Sequence, residues 1–186
     1  QEIIRRYYSA MVGVANGTST PEELTKLQLL MSQENLSPSN RPAVGPALER
    51  SAKIGVPVVA IELPDGRIIT GKTGDLLGAS AAALVNTLKV LADIPHEKPV
   101  LSPDALSPIQ TLKTRYLGSK NPRLHTDEVL IALSATAASN EDATLALKQL
   151  PKLAGSQVHS SVMLSSVDIR TFKKLFCDVT CEPKSI

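Results

Sequence analysis

Tryptophan is absent from this sequence, and aromatic residues make up only 3% of it. Proteins that bind single-stranded nucleic acid stack the bases on aromatic side chains, so we do not expect nucleic acid as a partner. No apolar run approaches the roughly 18 to 20 residues of a membrane-spanning helix, and the amino end shows no apolar stretch of a signal peptide. The sequence therefore predicts a cytoplasmic protein without a membrane partner.

Cysteine is also scarce, because the chain has only Cys177 and Cys181, four positions apart. This spacing is neither a disulfide framework nor a C-x-x-C metal site. Small structural zinc sites use four ligands, and no second pair of Cys or His residues accompanies this one. We expect two free thiols, no metal site and no bound cofactor.

An excess of one charge is missing as well, since 20 Lys and Arg residues face 18 Asp and Glu residues. No bulk electrostatic field attracts nucleic acid or an acidic membrane. A length of 186 residues allows one domain with a sizeable core and one small accessory domain. The chain opens on Gln1 in "QEIIRRYY", which already has a helical pattern, and this predicts a fragment of a longer protein.

Two helices are predicted in the first part of the chain, which together form an α-hairpin. The "NG" at residues 16–17 ends the first helix. The stretch "TPEE" from Thr20 then supplies a capping hydroxyl, a proline at the first helical position and a carboxylate three residues after the cap. The proline-rich "SPSNRPAVGP" breaks the pattern before a short third helix. We predict a helical subdomain over residues 1–54 and a second domain over residues 55–186.

The octapeptide "GRIITGKT" at residues 66–73 matches the phosphate-binding loop pattern G-x-x-x-x-G-K-[ST]. Such a loop needs backbone N–H groups that curl toward the phosphate and a helix that begins at the lysine. Here the residues between the two glycines are strand formers, and they follow the turn "PDG", in which Gly66 supplies a positive φ. The pattern predicts a β-hairpin with "VPVVAIEL", and we do not expect a P-loop NTPase in this chain by itself.

Alternating strand and helix patterns predict an α/β fold for the second domain. The hairpin is followed by an Ala- and Leu-rich helix, a short strand in "KPVLS" and two Ser-Pro helix starts, at Ser102 and Ser107. The polar loop "YLGSKNPRLHTDE" precedes a helix over residues 127–138 and another that ends at Leu150. A strand in "VHSSVML", a helix that opens with the capping box "SSVD", and a strand in "DVTCEP" complete the order.

Six motifs occur in the following order: "QEIIRRY", "ELPDGRIITGK", "LGSKN", "EVLIALS", "HSSVMLSS" and "DVTCEP". They resemble the bacterial family known as domain of unknown function 1846, also called uncharacterised protein family 0371, over essentially the whole chain. Members of that family are much longer, so the resemblance implies a carboxyl-terminal portion whose partner is the missing amino-terminal portion. It also implies a glycine-rich, phosphate-loop-like segment in that missing portion. The family has no established activity, so the resemblance names no reaction.

The order of elements is also similar to the three-layer α/β/α sandwich of the cytidine deaminases. In the zinc deaminases, a His or Cys followed by a catalytic Glu opens the helix after the hairpin, and P-C-x-x-C opens the next. The matching positions here carry Gly78, Ala79, Ser80 and Ala81, which include no zinc ligand and no carboxylate. The resemblance therefore implies a deaminase-like fold without its zinc site, and we do not expect a zinc deaminase.

Two polar clusters are candidate ligand-binding sites. Ser119, Lys120 and Asn121 form a donor-rich loop suited to an anion, although a solvated turn has the same composition. His159 and Ser160 lie in a predicted strand, where a hydrogen-bonded structural histidine is the alternative. Neighbouring strand residues point to opposite faces, so these two do not form a catalytic dyad. We expect the two clusters to lie together or to line one groove that faces the missing amino-terminal portion.

Three functions remain open at this point. In the first, which we prefer, the chain is part of a larger protein and contributes to a small-molecule or phosphate-containing ligand site between domains. In the second, it is a non-catalytic interaction module or forms a homo-oligomer, with the α-hairpin as its docking surface and the face of Leu24, Leu27 and Met31 in the contact. In the third, it is a complete enzyme, which needs a catalytic constellation that the sequence does not contain.

Overall fold

The computed structural model describes residues 1–185, which form eight α-helices and a four-stranded mixed sheet. In chain order the elements are α1 (Glu2–Ala15), α2 (Pro21–Gln33), α3 (Val44–Ile54), β1 (Val58–Glu62), β2 (Ile68–Lys72), α4 (Ala79–Leu91), α5 (Pro103–Thr111), α6 (Thr126–Ala137), α7 (Glu141–Leu147), β3 (Gln157–Ser160), α8 (Ser166–Lys174) and β4 (Asp178–Cys181). None of the helices in this part of the chain combines the length and the hydropathy needed to cross a bilayer. The α/β class predicted from the sequence is confirmed.

The predicted α-hairpin is present as α1 and α2, which pack against each other. At the start of α2, the Thr20 hydroxyl accepts a hydrogen bond from the Glu23 N–H at 3.3 Å, and the Glu23 carboxylate accepts one from the Thr20 N–H at 3.2 Å. This reciprocal capping box satisfies two donors that the helix would otherwise leave unpaired. Met31 is buried in a small apolar cluster with Ile4 and Tyr8 of α1.

The predicted β-hairpin is also confirmed, because β1 and β2 pair antiparallel, with Val58 opposite Lys72 and Glu62 opposite Ile68. Gly66 has a φ of +90°, as the turn between them requires. Gly71 has a different role, since a Cβ placed there would lie 2.0 Å from the backbone nitrogen of Ala83 in α4. The two glycines of the phosphate-loop pattern thus serve a turn and a close strand–helix contact.

The sheet has the strand order β2-β1-β3-β4, in which β1 is antiparallel to both neighbours and β3 is parallel to β4. Helices cover both faces. Val59 and Ile61 of β1 belong to the main core, together with Leu84 of α4 and Phe172 of α8. Ala60, between them in sequence, faces the opposite layer and packs against α3. Successive side chains of β1 therefore pack alternately against the two helical layers.

Arg41 links the helical layer of α1 and α3 to the sheet. Its side chain is fully buried, and its Nη2 donates to the carbonyl oxygens of Val158 and Asp178, both at 3.0 Å. Its Nε donates to the Thr180 hydroxyl at 2.9 Å. These bonds satisfy one backbone acceptor of β3 and, in β4, one backbone acceptor and one side-chain hydroxyl. The predicted division of the chain at residue 54 stays a prediction.

Three local predictions are wrong. "KPVLS" forms no strand, because Ser102 caps α5 with its hydroxyl and donates its N–H to the Thr136 hydroxyl at 3.2 Å, so the segment lies against α6. Ser107 does not start a new helix, since Pro108 lies inside α5, which continues into a π-helical turn over Leu112–Tyr116. The helix expected to end at Leu150 ends at Leu147 and is followed by a short 3-10 helix.

Candidate functional site

A cavity of about 340 Å³ opens at one end of the sheet. Its walls include Thr73 directly after β2, Pro57 directly before β1 and Ser160 at the carboxyl end of β3. In α/β proteins, ligands commonly bind in the crevice at the carboxyl ends of strands. The position of this cavity in the fold is therefore typical of a ligand site.

Three helices begin at the cavity. Gly78 is the residue before α4, His125 the residue before α6 and Ser165 the residue before α8, and all three line the wall. The first N–H groups of each helix have no carbonyl partner within the helix, so each helix start carries a partial positive charge. No side chain caps α4 within residues 1–185, because Gly78 has none to offer. Three helix starts with their partial positive charges therefore lie in the wall of one cavity, and among them, in the described part of the chain, α4 has no side-chain cap.

Ser80, in the first turn of α4, is the clearest unsatisfied group in the wall. The residue is only 2% exposed, and its hydroxyl oxygen has no hydrogen-bond partner among residues 1–185. Buried hydroxyl groups in native proteins nearly always have a partner, and leaving one unpaired costs about 1–3 kcal/mol. An unpaired hydroxyl in the wall of a cavity is well placed to bind a ligand oxygen.

His125 and Asp168 form a polar pair in the same wall. The Asp168 Oδ1 accepts hydrogen bonds from the Thr126 N–H at 3.0 Å and from the Thr126 hydroxyl at 2.8 Å, while its Oδ2 lies 3.4 Å from the His125 Nδ1. Burial acts to raise the pKa of Asp168, but the hydrogen bonds from His125 and Thr126 lower it below its usual value. The hydrogen bond to Asp168 raises the pKa of His125, against the opposing effect of burial. The pair therefore favours a carboxylate beside an imidazolium.

Arg123 supplies a permanent positive charge from the loop before α6. Its Nε donates to the Gly74 carbonyl oxygen, and it forms no ion pair within the described residues. Its N–H donates to the side-chain oxygen of Asn121 at 3.0 Å, and the buried Lys113 donates to its carbonyl oxygen. The loop is thus held by hydrogen bonds, and Arg123 is part of the cavity wall.

The structure places the five predicted ligand-binding residues in different surroundings. Asn121 and Ser160 line the cavity. The Ser119 hydroxyl accepts from the Asn121 N–H at 3.2 Å and so braces the loop behind the wall. Lys120 is exposed and is not part of the wall. His159 is buried on the opposite face of the sheet, and the ligand-binding roles of all five residues stay predictions.

His159 belongs to a separate polar network under α1. Its Nδ1 lies 2.8 Å from the Thr180 hydroxyl and its Nε2 lies 3.2 Å from the Glu182 carboxylate. Its ring packs on Tyr8 with a centroid distance of 4.8 Å. Burial lowers the pKa of His159, although Glu182 acts in the opposite direction. These contacts are typical of a histidine with a structural role.

Sequence reasoning missed five polar residues of the wall as a group: Ser80, Arg123, His125, Ser165 and Asp168. Each helix start has a local sequence signal, such as the capping box at Ser165. Nothing local indicates that the three starts meet, because His125 and Asp168 are 43 positions apart.

A zinc centre of the deaminase kind does not fit the start of α4. Gly78 precedes the helix, and Ala79, Ser80 and Ala81 are its first three residues. Within residues 1–185, no group of three His, Cys, Asp or Glu side chains is arranged to hold a metal ion. The α4 start instead offers N–H groups and one hydroxyl, which bind anions.

Comparison with known proteins gives the family. Residues 39–185 match the family model described as "Domain of unknown function DUF1846, C-terminal". A UPF0371 protein of Corynebacterium urealyticum is 50% identical over 184 residues, which cover 99% of this chain and 37% of the relative. A UPF0371 protein of Streptococcus uberis is 43% identical over 183 residues, which cover 98% of this chain and 37% of the relative. The chain spans about 37% of the length of these curated relatives. It therefore belongs to the domain of unknown function 1846 family, and it corresponds to the carboxyl-terminal part of the proteins in that family.

Proposed function

We propose that this chain contributes one wall of a small-molecule site in the full-length protein, and that its cavity binds the anionic group of the ligand. The observation that carries the proposal is the meeting of three helix starts around the unpaired hydroxyl of Ser80. Each helix start contributes roughly half a positive charge, and backbone N–H groups at such a start are common anion ligands.

The charges in the wall support an anion rather than a cation. Arg123 is positive, and the raised pKa of His125 favours its positive form. Among residues 1–185, Asp168 is the one carboxylate in the wall, and both of its oxygens already face hydrogen-bond donors of Thr126 and His125. A ligand anion therefore meets donors and positive charge, while the negative charge of Asp168 is partly offset by its own partners.

Relatives that are much longer than this chain support a site shared between domains. Small-molecule pockets form preferentially where two domains meet. The alternative of an interaction module has less support, because Met31, part of the proposed contact face, is buried against α1. The large apolar side chain that α2 exposes most is Leu29, which is 59% exposed and does not belong to that predicted face.

Two finer properties complete the proposal. The strand order, with β1 antiparallel to both neighbours, supports a sandwich of the cytidine-deaminase kind in which the zinc site has been replaced by an anion site. Cys177 and Cys181 are both free, which supports a reducing compartment such as the cytoplasm.

The test uses the methyl group of Met163, which lies in the cavity wall. The full-length protein labelled with ¹³C-methyl methionine is titrated with inorganic phosphate, and the Met163 signal is assigned through Met163→Leu. We expect this signal to shift on saturation, whereas the signals of Met11 and Met31 in the cluster of α1 and α2 stay unchanged. The local reporter separates this cavity from phosphate sites elsewhere in the protein.

Two variants test the wall residues. Arg123→Gln is expected to weaken phosphate binding about tenfold or more, because a hydrogen bond to a charged group contributes about 1.5–3 kcal/mol. Ser80→Ala is expected to weaken it about fivefold, for a neutral hydrogen bond of about 1 kcal/mol. Arg170→Gln, on the exposed side of α8, is the matched control and should have no effect. A Met163 signal that does not respond to phosphate would refute the proposal.

A further inference from the structure

We propose that the ligand is a phosphate monoester with one phosphoryl group and a compact, partly apolar organic part; this rests on the anion site proposed above. The cavity has two kinds of wall. The helix starts and the loop before α6 contribute polar groups, while Pro57, Val162, Met163 and Leu164 contribute apolar ones. A ligand that fills both needs an anionic end and an apolar end on the same small molecule.

The arrangement of donors favours a phosphoryl group over a carboxylate. Donors come from α4 through Ser80 and the adjacent N–H groups, from the loop through Arg123, and from the start of α6 through the His125 ring. Because these donors belong to three separate elements of the wall, we expect them to match a tetrahedral group with three terminal oxygens. A planar carboxylate has two oxygens in one plane and would leave part of the donor set unpaired, which is costly in a buried wall.

The charge balance favours one phosphate over several. Arg123 and His125 are the cationic side chains of the described wall and Asp168 is its carboxylate, so the wall offers at most two positive charges against one negative charge, which is closer to the charge of a phosphate monoester than to that of a larger phosphate. Di- and triphosphates carry more charge and are usually bound through Mg²⁺ held by carboxylates. Asp168 is the one carboxylate in the wall, and its oxygens are engaged by Thr126 and His125.

The size of the cavity limits the organic part. Small-molecule pockets span about 300–1,000 Å³, so this cavity of about 340 Å³ lies at the small end of the range. It accommodates one ring or a short chain beside the phosphoryl group. The segment after β3, with Val162, Met163 and Leu164, provides the apolar surface for that part.

The experiment compares probes in the full-length protein by the shift of the Met163 methyl signal. The probes are inorganic phosphate, acetate, ATP without added metal, and three monoesters: ribose 5-phosphate, adenosine 5′-monophosphate and phenyl phosphate. We expect at least one monoester to bind about tenfold more tightly than inorganic phosphate, and acetate and ATP to bind more weakly than that monoester.

A paired substitution tests the apolar wall separately. Val162→Thr keeps the shape of the side chain and replaces one methyl group by a hydroxyl, so it should weaken the preferred monoester at least threefold and change inorganic phosphate by less than twofold. Val167→Thr, on α8 and outside the wall, is the control and should change neither.

The outcomes separate this inference from the function on which it rests. If phosphate shifts the Met163 signal and no monoester binds more tightly than phosphate, the monoester assignment is overturned and the anion site stands. Acetate or ATP binding as tightly as the best monoester overturns the assignment in the same way. If inorganic phosphate does not move the signal, both proposals fall.

Discussion

The Nδ1 of His125 lies 3.4 Å from the Oδ2 of Asp168, which joins the start of α6 to the first turn of α8 at the cavity wall. Asp168 is itself fixed by the N–H and the hydroxyl of Thr126, so the carboxylate has little freedom. The imidazole is held by a fixed acceptor on one side. Lys113 and Glu128 are the other charged groups that act on it, and they oppose each other.

The His125–Asp168 pair predicts a loss of stability on the alkaline side. The pKa of His125 is raised in the folded protein above its ordinary value of 6.5, so its contribution is fully present below 6.5 and is lost as the pH rises through the folded pKa. His125→Gln should remove this part of the pH dependence, about 0.2–1 kcal/mol as for partly exposed pairs. Urea unfolding from pH 5 to 9 measures it. Identical pH profiles for the two proteins would contradict the prediction.

For His159, we predict a pH dependence of stability with the opposite sign. Burial lowers its pKa below 6.5 in the folded protein, so the folded state binds fewer protons than the unfolded state and stability falls as the pH drops below 6.5. The groups that face it are Tyr8, Arg41 and Glu182, and Glu182 limits the effect. A titration of the His159 ring signals by NMR should give a pKa below 6.5. A value above 6.5 would show that Glu182 dominates over burial.

Gly71→Ala should destabilise the protein by about 1–3 kcal/mol or more, because the new Cβ would meet the backbone of Ala83 rather than a flexible side chain. Gly74→Ala is the matched control, since no atom lies within 4 Å of a Cβ at that position, and its effect should stay within about 0.5 kcal/mol. Chemical denaturation of both variants gives the comparison. Equal stabilities would mean that β2 and α4 separate easily.

Lys72→Ala tests whether the phosphate-loop pattern has any function here. Lys72 is an exposed residue at the end of β2, where no helix begins. Nucleotide affinity of the full-length protein should change by less than about threefold, on the order of 0.6 kcal/mol. Isothermal titration with ATP and ADP measures it, and a hundredfold loss would restore the phosphate-loop interpretation.

Local patterns predicted the elements whose signals are local. The cap at Thr20 and the turn at Gly66 each depend on a few adjacent residues, and both were predicted correctly. The strand predicted in "KPVLS" is absent, because its apolar residues are buried against helices. A short apolar run does not distinguish such a buried loop from a strand.

The candidate site was only partly predictable, because it is assembled from distant segments. Asn121 and Ser160 were named from their polar surroundings and do line the cavity. The sequence places His125 in a polar loop, and its partner Asp168 lies 43 positions further along the chain. Ser80 is unremarkable in its local sequence, and only the fold shows that its hydroxyl is buried without a partner.

The alternation along β3 has a consequence for insertions and deletions. Ser160 faces the cavity and the adjacent His159 faces Tyr8, so one strand supplies two unrelated polar networks from neighbouring positions. Shifting the strand by one residue would exchange the two faces and place the imidazole in the cavity and the hydroxyl beneath α1. The turn at Gly155, which leads into β3, therefore cannot change in length without disturbing both sides of the sheet at once.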